Sequence, residues 1–434
     1  MLSYSLLAAL YLGSLGIVGR GIGALLWSAA ALGSGPCWSP PYRLGRSQAE
    51  SVDGMGDPVE AIMGAMAIGP SRTFRLMSLM SLAMLLGLAF TTEAAPPSNV
   101  AYRRIDVQDT VTGEWFPVAL WYPSRAAPTP LFLTGSLSVC RLPAMLCRLV
   151  TFEMRVANNA PPADGMFGLI VISHGAGGFS LNHRDLAMAL ASHGYVVAAP
   201  THPRGKGNDI SGVGVWIGRS KQVSRVIDAV LDDTVLGPHV RRERIGVVGH
   251  SMGGFTALQV AGARPSPRAI IGHCQQHPDD TKFCSYGGSA AREATQKVGA
   301  VPDARDPRVR ALVLMAPNVA PFTGDALAQV TVPVRVYGAE RDDLTLVRYH
   351  AEPLVKALPP QTEYVLVKGA GHFSFVTSFP RLLKIVAGEA ARDPEGLDRD
   401  TMHEVMNPEV VSFFDRKFRA GESTLAGYVM RRER

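Results

Sequence analysis

Charge is scarce in this chain. Of 434 residues, 18% are charged and 47% are apolar, which excludes compositional disorder and leaves enough apolar surface for one large core or two modest ones. The formal charge is +6, but Lys and Arg are scattered and form no basic stripe, which argues against a nucleic-acid partner. No internal repeat is present. Cysteine is sparse too: beyond Cys37, four remain as two close-spaced pairs, Cys140 with Cys147 and Cys274 with Cys284. His273 and His277 flank only one of these pairs and no C-x-x-C is present, so zinc is not expected. In an exported chain an even count reads as two disulfides, with free buried thiols as the alternative.

Export is expected from the N-terminal third. Arg72 and Arg75 precede an apolar run, Leu76 to Phe90, that is followed by Thr92-Glu93-Ala94. This has the build of a signal peptide over 71–94, cleaved after Ala94, and the run is short for a membrane span. Residues 1–70 hold another apolar stretch, Leu2 to Gly19, interrupted by Arg20. Such a stretch is unusual ahead of a signal, and translation from Met63 or Met66 would give the signal its ordinary length. Residues 1–94 carry five arginines and five acids, so the basic balance belongs to the mature chain.

From Val100 onward, short apolar runs bounded by Gly, Pro and Asp alternate with helix-length periodic segments. That pattern predicts an α/β domain over 95–420, followed by a basic tail over 421–434. Eight strands are expected: Tyr102 to Val107, Phe116 to Tyr122, Leu169 to Ile172, Tyr195 to Ala199, Ile245 to Val248, Ala311 to Met315, Val332 to Tyr337 and Tyr364 to Val367. Helices are expected at Asn182 to Ser192, Lys221 to Leu231, Gly253 to Ala261, Val347 to Leu358 and Asp398 to Phe418. The first two strands have no helix between them and should be antiparallel, whereas the later ones should be parallel. Two stretches break the rhythm and read as insertions, a Leu-rich one over 128–162 and another over 271–302. Each could be a substrate lid or padding on the core, and the Leu-rich one could touch a membrane or lipid transiently.

Gly249-His250-Ser251-Met252-Gly253 carries the chemistry. With 44 glycines in the chain, roughly 0.3 matches to G-x-S-x-G arise by chance, so context has to decide. The pentapeptide follows Ile245-Gly246-Val247-Val248 and precedes Gly254-Phe255-Thr256-Ala257-Leu258, the strand, sharp turn and helix of a nucleophile elbow. Ser251 needs a base, and His372 in Gly369-Ala370-Gly371-His372-Phe373 follows the last strand on a Gly-rich loop. The imidazole needs an orienting carboxylate, and Gly338-Ala339-Glu340-Arg341-Asp342-Asp343 offers three. Asp342 is chosen, with Asp343 and Glu340 as alternatives. Oxyanion donors are expected from the backbone N–H of Met252 and from Ser173-His174-Gly175-Ala176-Gly177-Gly178, where Ala176 is the choice. His174 is expected to be structural.

The runs Val171 to Phe179 and Leu190 to His202, together with Gly249 to Gly254, resemble the platelet-activating factor acetylhydrolases and the bacterial exported dienelactone hydrolase-like proteins. The resemblance spans about Val100 to Phe418. It implies an α/β-hydrolase fold with a mostly parallel sheet of about eight strands, and hydrolysis of a small-molecule ester without metal or cofactor. In the acetylhydrolase case the acyl chains would be short or oxidised. One departure concerns the acid: in those acetylhydrolases it follows the sixth strand, where Leu312 to Asn318 has no carboxylate. The bacterial relatives take it after the seventh, where Asp342 lies. Ser251 also departs from true dienelactone hydrolases, whose nucleophile is cysteine. A lipase or polyester hydrolase, an exopeptidase-like amidase and a catalytically silent binding module are the rival readings. Neither the oligomeric state nor the natural substrate follows from these residues.

Overall fold

The computed structural model describes residues 99–432, apart from 111, 136, most of 139–148, 204–213, 298 and 299. Ten strands form one sheet: β1 (Asn99–Gln108), β2 (Trp115–Ser124), β3 (Thr129–Leu133), β4 (Phe152–Asn158), β5 (Phe167–Ser173), β6 (Tyr195–Pro200), β7 (Val240–His250), β8 (Val309–Met315), β9 (Val334–Ala339) and β10 (Glu363–Val367). Their order is β10-β9-β8-β7-β5-β6-β2-β1-β4-β3. Strands β5 and β6 are buried at every position, the continuous burial expected of strands covered by helices on both faces. β2 runs antiparallel to both β1 and β6, whereas β5 to β10 are parallel to one another. The antiparallel start and parallel remainder are as expected.

The strand count differs from the expected eight because much of the Leu-rich stretch is sheet. β4 pairs parallel with β1, and β3 pairs antiparallel with β4. In β4 the side chains alternate, Phe152, Met154 and Val156 inward and Glu153 and Arg155 outward, so the period is that of a half-buried strand. Leu131 and Leu133 are therefore core residues, not lid residues. Cys140 and Cys147 lie outside the described residues, as does the segment proposed as a signal.

The helices are α1 (Arg184–Ser192), α2 (Arg219–Leu231), α3 (Met252–Val260), α4 (Pro267–Gln276), α5 (Thr281–Lys297), α6 (Gly324–Leu327), α7 (Ala351–Ala357), α8 (Arg381–Val386) and α9 (Arg399–Arg432). One face of the sheet packs on α2 and α3 through Val223, Val226, Ile227, Phe255 and Leu258. The other packs on α1 and α9 through Leu186, Leu190, Val410, Phe413 and Phe414. The backbone of α9 continues to Arg432, where a separate tail from 421 was expected. The second expected insertion is the hairpin of α4 and α5, stapled by the disulfide Cys274–Cys284. Among the described residues no helix is long and apolar enough to cross a membrane.

Candidate active site

Ser251 stands between the end of β7 and the first turn of α3 with φ 55° and ψ −116°, a left-handed conformation that costs a non-glycine residue on the order of 1–3 kcal/mol. Its surroundings hold it there. Its N–H donates to the Met315 carbonyl at 3.0 Å, and its own carbonyl accepts from the N–H groups of Gly254 at 2.9 Å and Asn318 at 3.0 Å. The turn closes only around glycine: a Cβ on Gly253 would lie 1.9 Å from the Ser173 carbonyl oxygen.

His372 follows β10 and reaches back across the sheet's rim. Its Nε2 lies 2.9 Å from Ser251 Oγ, and its Nδ1 lies 2.9 Å from Asp342 Oδ2. Asp342 is 5% exposed. Burial pushes its carboxyl up, but His372 and the N–H groups of Thr345 and Leu344 hold it below the ordinary carboxylate range. The other two acids point elsewhere: Asp343 pairs with Lys282, while Glu340 takes Lys368 at 2.6 Å and the Gly369 N–H at 2.8 Å.

The loop from Ser173 to Gly178 passes directly over Ser251, since a Cβ on Gly175 would lie 3.2 Å from Ser251 Cβ. Ala176 is exposed on that loop, and Met252 is half-buried at the start of α3. His174, expected to be structural, has both ring nitrogens engaged with backbone. Its Nδ1–H donates to the Gly175 carbonyl at 2.7 Å, and its Nε2 accepts the His202 N–H at 3.1 Å.

Several polar residues around the site gave no sequence motif. Thr345 donates its hydroxyl to Asp342 Oδ2 at 2.9 Å and lies 3.2 Å from His372 Nδ1. Arg219 is buried behind the loop, where it donates to the His174 carbonyl and to the hydroxyls of Ser173 and Thr256. Burial without a carboxylate partner pulls its guanidinium down to about 9. A chain of contacts continues from Ser173 Oγ through His202 and Gln222 to Asp109. Ser173 and His202 fall within the runs that carry the resemblance, whereas Thr345, Arg219, Gln222 and Asp109 gave no signal because their partners lie far away in sequence or in loops.

Beside Met252 and Asn318 lies an apolar cavity of about 40 Å³. It is lined by Val215, Trp216, Phe255, Ile270, Phe283, Gly287, Ala290 and Ala291, so the α4–α5 hairpin forms one of its walls.

The ligand atoms of His273, Asp280 and His350 lie within 4.8 Å of one another. Both imidazoles turn Nε2 toward Asp280 Oδ2, at 2.9 Å and 3.2 Å. The Val319 N–H donates to His350 Nδ1 at 3.2 Å, so the hydrogen of that ring sits on Nε2, where a metal would need a lone pair. The group is a hydrogen-bonded clasp between the hairpin and α7.

Comparison with known proteins places similarity on the same segments. The family described as serine aminopeptidase, S33, matches residues 165–274, and platelet-activating factor acetylhydrolase, isoform II, matches residues 116–208. The first segment holds Ser251 and the Ser173 to Gly178 loop, and neither reaches Asp342 or His372. A bis(hydroxyethyl) terephthalate hydrolase of Streptomyces coelicolor is 26% identical over 246 residues, 56% of this chain and 61% of that protein. Cutinase est2 of Thermobifida alba is 25% identical over 218 residues, 49% and 55% of the two chains. A platelet-activating factor acetylhydrolase of Cavia porcellus is 26% identical over 190 residues, 33% and 43%. The chain thus spans about half the length of the curated relatives it matches. The sheet order and these matches together make the fold that of an α/β-hydrolase.

Proposed function

We propose that the protein is a carboxylic ester hydrolase working through an acyl-enzyme at Ser251. The observation that carries this reading is the unbroken hydrogen-bond chain from Ser251 Oγ through His372 to Asp342, with 2.9 Å at each step. In this mechanism Ser251 Oγ attacks the ester carbonyl while His372 Nε2 takes its proton, and Asp342 stabilises the imidazolium that forms. The N–H groups of Met252 and Ala176 receive the developing oxyanion. His372 then protonates the departing alcohol, and water, activated by the same imidazole, releases the acid. No metal or cofactor enters the scheme.

The small apolar cavity beside Met252, walled by the α4–α5 hairpin, favours a short apolar acyl group. Relatives named as cutinases and a terephthalate-ester hydrolase support the second reading, a polyester hydrolase, in which the alcohol side of the bond carries the bulk. The signal-like segment Arg72 to Ala94 and the disulfide Cys274–Cys284 support export to the periplasm or medium. Transient lipid contact falls, in this reading, on the exposed Leu146 and Val150 of the Leu-rich stretch.

Ser251→Ala is expected to remove p-nitrophenyl acetate and butyrate turnover while leaving the circular-dichroism spectrum unchanged. Retained turnover would refute the assignment. A fluorophosphonate probe should label Ser251 in the wild type, and absence of labelling would favour the silent binding module. An ester chain-length series beside a matched amide separates esterase, lipase and amidase.

A further inference from the structure

The turn that carries His372 is held by side chains at four of five successive carbonyls. His250 Nε2 donates to the His372 carbonyl at 2.9 Å, His403 Nε2 to Ser374 at 2.8 Å, His183 Nδ1 to Phe375 at 2.9 Å and Arg399 to Val376 at 3.1 Å. Three of the four donors are therefore histidines, and they are not equivalent. His250 and His183 are fully buried, and burial drives both imidazoles below the ordinary histidine value, His183 to about 4. They are neutral donors.

His403, on α9, has a second partner. Its Nδ1 bonds Asp185 Oδ2 on α1, and the other oxygen of Asp185 accepts the Thr377 hydroxyl from the far end of the same turn. A carbonyl and a carboxylate both accept, so both ring nitrogens must carry hydrogen, and His403 is an imidazolium. Burial pulls this ring down, but the bond and charge of Asp185 outweigh it and the net shift is upward.

We propose that the Asp185–His403 ion pair is a positioning device for His372, fixing the turn so that Nε2 stays aimed at Ser251 Oγ. It rests on the esterase reading for its kinetic consequence only. Neither residue touches Ser251 or the cavity; the pair acts through the Ser374 carbonyl and the Thr377 hydroxyl, two and five residues beyond His372. A displacement of the imidazole by about 1 Å is enough to cost on the order of 100-fold in rate. The charged or titratable groups acting on His403 are Asp185 and His183 from α1 and its approach and Arg399 on α9, and Asp185 is itself coupled to Arg184, which is coupled to Asp400. Burial pulls Arg184 down to about 10 and His183 to about 4, whereas Asp185 holds the His403 ring above the ordinary histidine value, so the imidazolium lost as pH rises is that of His403.

The test compares wild type with His403→Gln, which keeps one N–H for the Ser374 carbonyl and loses the charge, with His403→Ala and with Asp185→Asn. On p-nitrophenyl acetate, kcat is expected to fall about tenfold for the Gln and Asn variants and about 100-fold for Ala, with KM within twofold. The alkaline decline of wild-type kcat should be absent in His403→Gln. If the Ala variant does not fold, the Gln variant decides. Two spectroscopic readouts are independent of activity: both ring nitrogens of His403 should carry protons at pH 7, and the low-field proton of His372 Nδ1–H should shift or broaden in His403→Gln. Unchanged kcat in a folded variant, KM changing in step with kcat, or a neutral His403 ring at pH 7 would overturn the proposal. A wild type without turnover or probe labelling would sink the esterase reading alone, and the two spectra would still decide the positioning of His372.

Discussion

Thr345 shows how a single hydroxyl can govern the candidate acid. It donates to Asp342 Oδ2 at 2.9 Å while the Leu344 and Thr345 N–H groups hold Oδ1 at 2.9 Å and 2.8 Å. A hydrogen bond to a charged group is worth about 1.5–3 kcal/mol, so Thr345→Val, nearly isosteric, is expected to lower kcat on the order of tenfold with little change in KM. The same substitution removes a hydrogen bond donated to the ionised form of Asp342, and losing such a bond raises a carboxyl, while the N–H groups of Thr345 and Leu344 that hold it down remain. The carboxylate is therefore lost at a higher pH in the variant, and the acid limb of kcat/KM should move upward. A pH–rate profile of the two proteins checks both points, and an unshifted acid limb would show that Thr345 does not govern Asp342.

The α4–α5 hairpin is the element that distinguishes the pocket. Its helices carry Ile270, Phe283, Gly287, Ala290 and Ala291 into the cavity wall, and the Asp280 clasp and the bridge Cys274–Cys284 fasten it. A Cβ on Gly287 would meet Phe283 at an ordinary 3.4 Å, so a larger side chain can be accepted by filling the cavity. Gly287→Leu is expected to reduce butyrate relative to acetate turnover about tenfold or more, the scale of discrimination that one methylene provides in an apolar pocket. Equal loss on both esters would argue that the acyl chain lies elsewhere. The bridge spans ten residues of sequence, and loop-closure entropy for that span amounts to about 2–3 kcal/mol. Cys274→Ser should lower stability by an amount of that order in urea denaturation, with activity retained at low denaturant.

Across the whole molecule, stability against pH is set by buried pairs joining distant elements. The His403 imidazolium is raised, so its contribution is full below the unfolded histidine value and is lost as pH rises through the folded one. Asp185, Asp342, Asp306 and Asp280 are lowered, Asp280 to about 2 against opposing burial. Their contribution is present above the unfolded carboxylate value, about 4, and is lost as pH falls through the folded values. The urea midpoint should therefore be highest in the neutral range and should fall on both sides. His403→Gln should flatten the alkaline side alone, and a midpoint independent of pH above 6.5 in the wild type would contradict the ion pair.

The Ser251 turn was legible because its requirements are local. A buried strand, two glycines flanking Ser251 and a following helix are all encoded within some twenty residues, and the order of Ser251, Asp342 and His372 along the chain follows from the sheet. The edge strands were not read, although β4 alternates from Phe152 to Val156, because Pro130 and the leucines around it look like loop or lid when the pairing partner is unknown. Among Glu340, Asp342 and Asp343 the sequence could rank but not decide: three acids within four residues of one turn point in different directions, and only the fold shows which meets His372. The pair Asp185–His403 joins residues 218 apart in sequence. Short-range chemistry is written in the sequence as spacing and pattern. Which buried polar groups meet depends on how α1, α9 and the His372 turn pack together, and that was decided by tertiary structure alone.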